Sequence, residues 1–599
     1  MPPKKSRKKI SSQALVETGT AEKRGKKQLR LAVDNWPILL EWEGKTRPAG
    51  SIERCGEFTL VHFDFPGGSP GEYHLSVQQP FIDIYRSWIG KFHAWQGLEL
   101  TSIALNFNFS TAANRSMPVI CNYSRAGENR GVVGMLNQVP QTQVNQRPVF
   151  DEAPLRILQV KFSRARNTGN FRETVVIYRG KLHFAEAVRR WMRFCRQRQG
   201  IEILPAPAWA REPVWCSWYA HLYILTQGDV ERQIPYLKKS GIRTVLIDAS
   251  WFQQKNKDRG CQLDAGEYVL NKSFFPDFRG LSHRLHDQGF KIMLWCAPLF
   301  MGKLAPNRNA MARYCVWDGK ERSSILCPFC AESKAHARGV MERLMRDYEL
   351  DGMKLDFMDA GMKDDITMPC LDPKHDHGDG NYGAAMIEFM RALREGILKV
   401  KPDAAIEYRI SYSTLATLPF ANCHRGNDSP FDADYMRREN IFLRLFCDYP
   451  AAVWNDYAYW HAREKPENIS LMLGSQIFSG GVPTLAVNVK QCGENQRRII
   501  SRWMKFYSLH LDSLARAGMT VHSADSCYSV TSLQNLGKRE AFVLLSGQNI
   551  PARISLKPQI CDVWVLNASA EKKGILTLTA GKSSARAKIS GLGPSHVVL

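Results

Sequence analysis

The sequence predicts a multidomain α/β and β protein. A central (β/α)8 barrel is flanked by an N-terminal β-sandwich and a small C-terminal β domain. Three observations carry this. The 599 residues are too many for one core. From residue 214 onward, short apolar strands alternate with helix-length segments, the pattern of a parallel sheet with helical crossovers. On either side the chain falls into short alternating runs broken by turns, the pattern of antiparallel sheets.

In chain order, residues 1–30 read as a basic tail. Lys4, Lys5, Arg7, Lys8, Lys9, Lys23, Arg24, Lys26, Lys27 and Arg30 stand there with too little apolar content to fold alone. Residues 31–204 form the N-terminal sandwich, with strands such as Phe58-Thr59-Leu60-Val61-His62-Phe63. They end in a linker helix over 184–194, whose apolar residues recur at helical spacing. Pro205 and Pro207 break the chain. Residues 205–518 form the barrel. Its strands are expected at 214–219, 244–248, 291–295, within 351–359 and carrying Asp356, 405–409, 421–424, 451–454 and 484–487. Helices fall between them over 230–240, 281–288, 335–348 and 383–400, and a last one over 496–517 closes the array. Gly241 and Gly289 stop two of the helices. An open doubly wound sheet is the alternative, but no Gly-rich phosphate fingerprint follows the first strand. Residues 519–599 return to short strands and form the C-terminal β domain.

Composition narrows the class. Hydrophobic residues make up 44% and charged residues 23%, ordinary for a globular protein. No apolar run of about 18 residues marks a membrane span, and no apolar h-region follows the basic start. The fifteen cysteines are scattered, and Cys216, Cys296 and Cys423 fall in apolar strands. Free thiols in a reducing, cytoplasmic setting are expected. The formal charge of +23 would allow a nucleic-acid partner, but a solvated arm accounts for part of it and none is expected. No membrane partner is expected, and an oligomer is compatible with the sequence. Cys327-Pro328-Phe329-Cys330, with Cys370, His375 and His377, carries metal-ligand residue types. The spacing fits no common finger and only one CxxC exists. No metal is expected, and these residues are expected to trim the entrance to the site.

Acids and aromatics gather where the barrel strands end, the face on which such barrels carry their catalytic residues. Successive strands offer Trp218; Asp248 and Trp251; Trp295; Lys354 and Asp356; Glu407 and Arg409; Arg425, Asn427 and Asp428; Asp456, Trp460 and His461. Lys354 and Asp356, two apart on a strand, face the same side. A cation there keeps the carboxylate ionised. Singly, each residue has a structural explanation; together, aromatic walls and several carboxylates make a sugar site. In such a site one carboxylate attacks the anomeric carbon and a second protonates the leaving oxygen.

These residues carry a resemblance. Leu246-Ile247-Asp248-Ala249-Ser250-Trp251-Phe252, the segment 266–276, Gly289-Phe290-Lys291-Ile292-Met293-Leu294-Trp295, Met353-Lys354-Leu355-Asp356 and Arg425-Gly426-Asn427-Asp428 resemble, in order, the motifs of glycoside hydrolase family 36, the melibiase-type α-galactosidases. The resemblance runs over roughly residues 205–460. It implies a retaining glycosidase acting on terminal α-linked sugars, with Asp356 as nucleophile and Asp428 as acid/base. Trp218, Asp248, Trp251, Trp295, Lys354, Arg409 and Arg425 would bind an oligosaccharide or glycoside substrate, with no cofactor. Two departures bear on the sugar. Ala249 replaces the second of two adjacent acids that in the family hold the galactose 4- and 6-hydroxyls. Glu407-Tyr408-Arg409-Ile410-Ser411-Tyr412 replaces a glycine-rich loop near the sugar 2-position, which implies a preference for an anionic or modified sugar. A raffinose-synthase-type transglycosylase, an α-N-acetylgalactosaminidase and a non-catalytic carbohydrate-binding protein remain alternatives on the same scaffold.

Overall fold

The computed structural model describes residues 22–599. Left out are 24–25, 35, 44–45, 70, 81–82, 92–105, 150–156, 165–168, 250, 253–262, 361, 364–365, 368–369, 524–527, 547–550, 569–573 and 590–592. The basic residues before Glu22, and Arg24, therefore lie outside the described residues.

The first part is two antiparallel sheets face to face. One runs in the order Glu22–Lys23, Lys26–Val33, Trp36–Trp42, Tyr73–Pro80, Ile157–Arg164, Thr142–Val149, Phe107–Thr111. The other runs Ala49–Cys55, Phe58–Phe65, Phe171–Tyr178, Asn129–Met135, Val119–Tyr123, Arg86–Ile89. Their inward residues, among them Leu31, Ile38, Val61, Phe63, Val77, Val160 and Val175, form one buried core. One expectation is corrected here. The basic stretch does not run as a tail to residue 30, because Lys26–Val33 is a strand paired with Trp36–Trp42. Leu29, Leu31 and Val33 alternate into the core, and Arg30 lies on the other face.

After the helix Phe184–Arg198 comes the barrel. Its strands are β1 (Val214–Cys216), β2 (Thr244–Ile247), β3 (Lys291–Cys296), β4 (Gly352–Leu355), β5 (Ala405–Arg409), β6 (Cys423–Arg425), β7 (Ala452–Trp454) and β8 (Thr484–Leu485). Neighbours in this order pair in parallel from β1 to β7, and β8 pairs with β1. A bridge from Trp454 to Val482 closes the ring. The two-residue period decides what fills it. Val214, Cys216, Leu246, Met293, Ala405, Cys423 and Trp454 pack inside. The alternate residues Trp215, Val245, Ile247, Leu294, Met353 and Ile406 pack outward among the residues of the helical layer. Gly352 is required by a close approach, since a Cβ there would meet the Ala405 carbonyl oxygen at 2.4 Å. Strand β1 is shorter than expected. Ser217 turns to helical backbone (φ −78°, ψ −13°), so Trp218 opens the short helix Trp218–His221.

The C-terminal part has a five-stranded sheet in the order Gly518–Val521, Val530–Asn535, Glu540–Leu545, Asp562–Asn567, Ser595–Val598. A three-stranded sheet of Arg553–Leu556, Gly574–Ala580 and Ser583–Ile589 accompanies it. No helix among the described residues is long and apolar enough to cross a membrane.

One interior group predicts an acid response. His424 on β6 is fully buried, with Nδ1 on Ser413 Oγ at 2.9 Å. Burial pulls its pKa from the ordinary 6.5 down to about 4. The unfolded chain therefore binds the extra proton first as pH falls. Stability from this residue is whole above pH 6.5 and is lost on descent to pH 4, by roughly 3 kcal/mol. Urea melts at pH 7 and pH 4.5 check this: His424→Gln should narrow the difference between the two midpoints.

Candidate active site

At the C-terminal ends of the strands lies a cavity of about 520 Å³. Trp218, Asp248, Trp295, Lys354, Asp356, Arg409 and Asp428 all line it, as do Tyr219, Ala249, Asp359, Ser411 and Tyr457. Strand geometry explains the convergence. Lys354 and Asp356, from the end of β4, share the inward parity of the strand interior and stand where its regular pairing stops.

Asp356 is held on every side. Its Oδ2 accepts the Trp295 indole N–H at 3.1 Å. Its Oδ1 accepts the Phe357 amide at 2.8 Å, and the Tyr412 hydroxyl, which donates to the Leu355 carbonyl at 2.7 Å, lies 3.3 Å from the same oxygen. Phe357 adopts a φ of 55°, strained for a non-glycine residue, directly after this carboxylate. Burial pushes the Asp356 carboxyl up. The charges of Arg409, Lys354 and Arg425, with the Trp295 hydrogen bond, outweigh it and hold the pKa well below the usual carboxylate range.

Lys354 does not bond Asp356 directly. Its Nζ donates to Asp248 Oδ2 at 2.9 Å and lies over the Tyr457 ring at 4.7 Å. Burial pulls the ammonium pKa down, but the Asp248 charge overrides it and the lysine stays charged. The cation nearest Asp356 is instead Arg409, with Nη2 3.4 Å from Asp356 Oδ1 and Nη1 3.1 Å from Asp428 Oδ2. One guanidinium thus stands between the two carboxylates. Among the cavity's acids Asp428 is the most open to water: its side chain is 39% exposed, against 10% for Asp356. Ser411 Oγ is buried with no described partner.

Two expected sugar-binding residues are placed elsewhere. Trp251 is fully buried behind the site, stacked on Tyr268 at 5.8 Å, and its indole N–H donates to the Trp295 carbonyl at 3.0 Å. It supports Trp295 and does not line the cavity. Arg425 is likewise buried beneath the floor. It pairs with Glu407 at 2.8 Å, with Asp456 at 2.6 Å and, more loosely, with Asp428 at 3.4 Å. It positions the acids from below. Burial and the Asp428 charge push the Asp456 carboxyl up to about 6, against the pull of Arg425.

Several participants went unnamed as site residues in the sequence. Tyr412 touches Asp356, the Tyr219 hydroxyl donates to Asp456 at 3.1 Å, and the Tyr457 hydroxyl donates to Glu407 at 2.6 Å. Glu439, fully buried, accepts the Asn427 amide at 3.0 Å and the Ser429 hydroxyl at 3.0 Å, fixing the turn that carries Asp428. Tyr219 and Tyr457 each follow a residue already singled out at a strand end, a usable signal. Nothing local marks Glu439.

Comparison with protein-family models and with curated proteins returns no match. Solved structures do match. An α-galactosidase from Lactobacillus brevis aligns over 97% of this chain and 79% of its own, with a TM-score of 0.63 at 12% identity. The GH36 α-galactosidase AgaA from Geobacillus stearothermophilus, as a variant in complex with raffinose, aligns over 98% and 84%, with a TM-score of 0.65 at 12% identity. The fold is that of the GH36 α-galactosidases. TtGalA, an α-galactosidase from Thermus thermophilus in complex with p-nitrophenyl α-D-galactopyranoside, has a TM-score of 0.55 at 15% identity, over 80% of this chain and 94% of its own. Within the GH36 fold, the cavity described above lies at the barrel face where sites of this architecture form.

Proposed function

We propose that the protein is a retaining glycoside hydrolase that removes terminal α-linked sugars. The observation that carries this is the carboxylate pair. Asp356 is buried and held ionised, Asp428 is open to water, and a single guanidinium touches both. Asp356 attacks the anomeric carbon and forms a glycosyl ester as the glycosidic bond breaks. Asp428 gives its proton to the leaving oxygen. It then takes a proton from water, which attacks the same carbon, breaks the ester and regenerates both acids. The Asp248–Lys354 pair and Trp218 and Trp295 meet the sugar's hydroxyls and faces. The GH36 enzymes of this fold that carry raffinose, stachyose or 1-deoxygalactonojirimycin lend support to an oligosaccharide substrate.

Arg409 also favours a second reading. Its guanidinium occupies the space between attacker and proton donor, where the scissile bond has to lie. A sugar-binding protein without turnover would have no reason to clear it. A panel of aryl α-glycosides separates the readings: galactoside, N-acetylgalactosaminide, glucoside and a uronide, with the first-formed anomer scored by NMR. Turnover with retained configuration is expected, and acceptor sugar in the same assay separates hydrolysis from transfer. An inverted product would remove Asp356 as nucleophile. Binding without turnover on every member would leave the second reading.

A further inference from the structure

The residues Cys327, Cys370, His375 and His377, expected from sequence to be loop trim, come together in space. One ligand atom from each lies within 4.8 Å of all the others. They arrive from two directions. Cys327 follows the strand Arg322–Leu326, in the crossover after β3, and the other three sit in the crossover after β4.

Their detailed geometry is that of a coordination shell. Cys370 Sγ is 3.2 Å from His375 Nδ1, and Cys327 Sγ is 4.0 Å from His377 Nε2. Tetrahedral zinc, with bonds of ~2.3 Å to sulfur and ~2.0–2.1 Å to nitrogen, sets sulfur and nitrogen about 3.5 Å apart. The two separations bracket that value. The outer contacts fit as well. His375 Nε2 lies 2.8 Å from the Arg313 carbonyl oxygen, so it carries the proton. That leaves the Nδ1 lone pair aimed at the cluster, the arrangement that orients metal-binding histidines. The Trp317 amide donates to Cys370 Sγ at 3.4 Å, and the Phe329 amide donates to the Cys327 sulfur. Each of these N–H groups can go on donating to the sulfur once a metal has displaced the thiol proton. Cys330 borders Cys327 but is outside the mutually close set.

We infer that Cys327, Cys370, His375 and His377 form a structural zinc site that ties the crossover after β4 to the crossover after β3. Binding releases one proton from each cysteine, and two thiolates with two neutral imidazoles balance the dication. Four protein ligands leave no open position, so the ion serves structure and not catalysis. The tied crossover carries Asp359 and Ala360, which line the cavity. The zinc therefore steadies one wall of the candidate active site. This inference stands on the cluster alone and does not depend on the sugar reading.

The test uses the full chain purified without chelator. Elemental analysis should find about one zinc per chain, and a thiol-reactive mercurial with a colorimetric chelator should release it. Cys370→Ser and His377→Ala should each lose most of the bound zinc and melt at lower temperature, whereas Cys330→Ser should keep the full complement. If the ligand variants fail to fold, cobalt exchange into the intact chain decides. A tetrahedral visible spectrum with a thiolate-to-cobalt band supports the site, and an octahedral spectrum overturns it. Wild-type chain with reduced thiols and no bound zinc overturns it too. So does a Cys327–Cys370 disulfide in the native protein, or unchanged zinc in Cys370→Ser.

Discussion

Asp356→Ala should lower kcat on activated aryl α-glycosides by roughly 10³-fold or more while leaving the fold intact. The carboxylate is buried and ionised against the cost of burial, an arrangement that only a cluster of cations and donors sustains. Removing it leaves Arg409 still paired with Asp428 and Trp295 still backed by Trp251, so circular dichroism and the melting temperature should move little. Azide should restore turnover and give a glycosyl azide of inverted configuration, because a small anion fits the space the carboxylate vacates. In Asp428→Ala, an activated substrate should leave a sugar on Asp356, visible by mass spectrometry of its peptide. Equal activity of wild type and Asp356→Ala would end the nucleophile assignment.

The largest effect on stability should come from Arg425→Met. This guanidinium is buried between Glu407 and Asp456, both also buried, at 2.8 and 2.6 Å. Methionine keeps much of the apolar stem but leaves two carboxylates without their cation in a place water does not reach. Breaking one side of a buried ion pair costs about 3–5 kcal/mol, read as a lower urea midpoint. Adding Glu407→Gln should recover part of the loss, since one uncompensated charge is then gone. A smaller loss is expected for Arg409→Met, because its partner Asp428 reaches solvent. If Arg425→Met melts like the wild type, the acids are not held from below as described.

The contrast between Arg409 and Arg425 marks how far the sequence could be read. Both lie on barrel strands with inward parity, and the two-residue period showed that parity plainly. Parity does not give depth. Arg409 and Arg425 are direct partners in the ladder between β5 and β6, yet Arg409 lines the cavity and Arg425 does not, and no local pattern distinguishes them. Trp251 was misplaced for a related reason. It follows the end of β2, where the period stops and nothing says which way a side chain turns. Asp356 and Lys354 were legible because a short apolar strand ends on them, and the barrel because its β–α alternation repeats. The Lys354–Asp248 pair was hidden, since it spans two strands 106 positions apart in sequence. The same holds for Cys327 and Cys370, separated by a helix and β4. Finger-like spacing presumes contiguous ligands, and these meet only after the barrel has closed.

Arg409 has one more consequence, a competition for a single position. Any pyranose entering between Asp356 and Asp428 must first find the guanidinium swung aside. The apparent affinity of a neutral sugar is lowered by the fraction of molecules in that open state. A sugar bearing its own carboxylate escapes part of this handicap, because it offers the displaced guanidinium a replacement counter-ion. Replacing Arg409 with a small residue would then tighten neutral ligands and weaken acidic ones, so the same side chain would decide both how often the site is open and to whom.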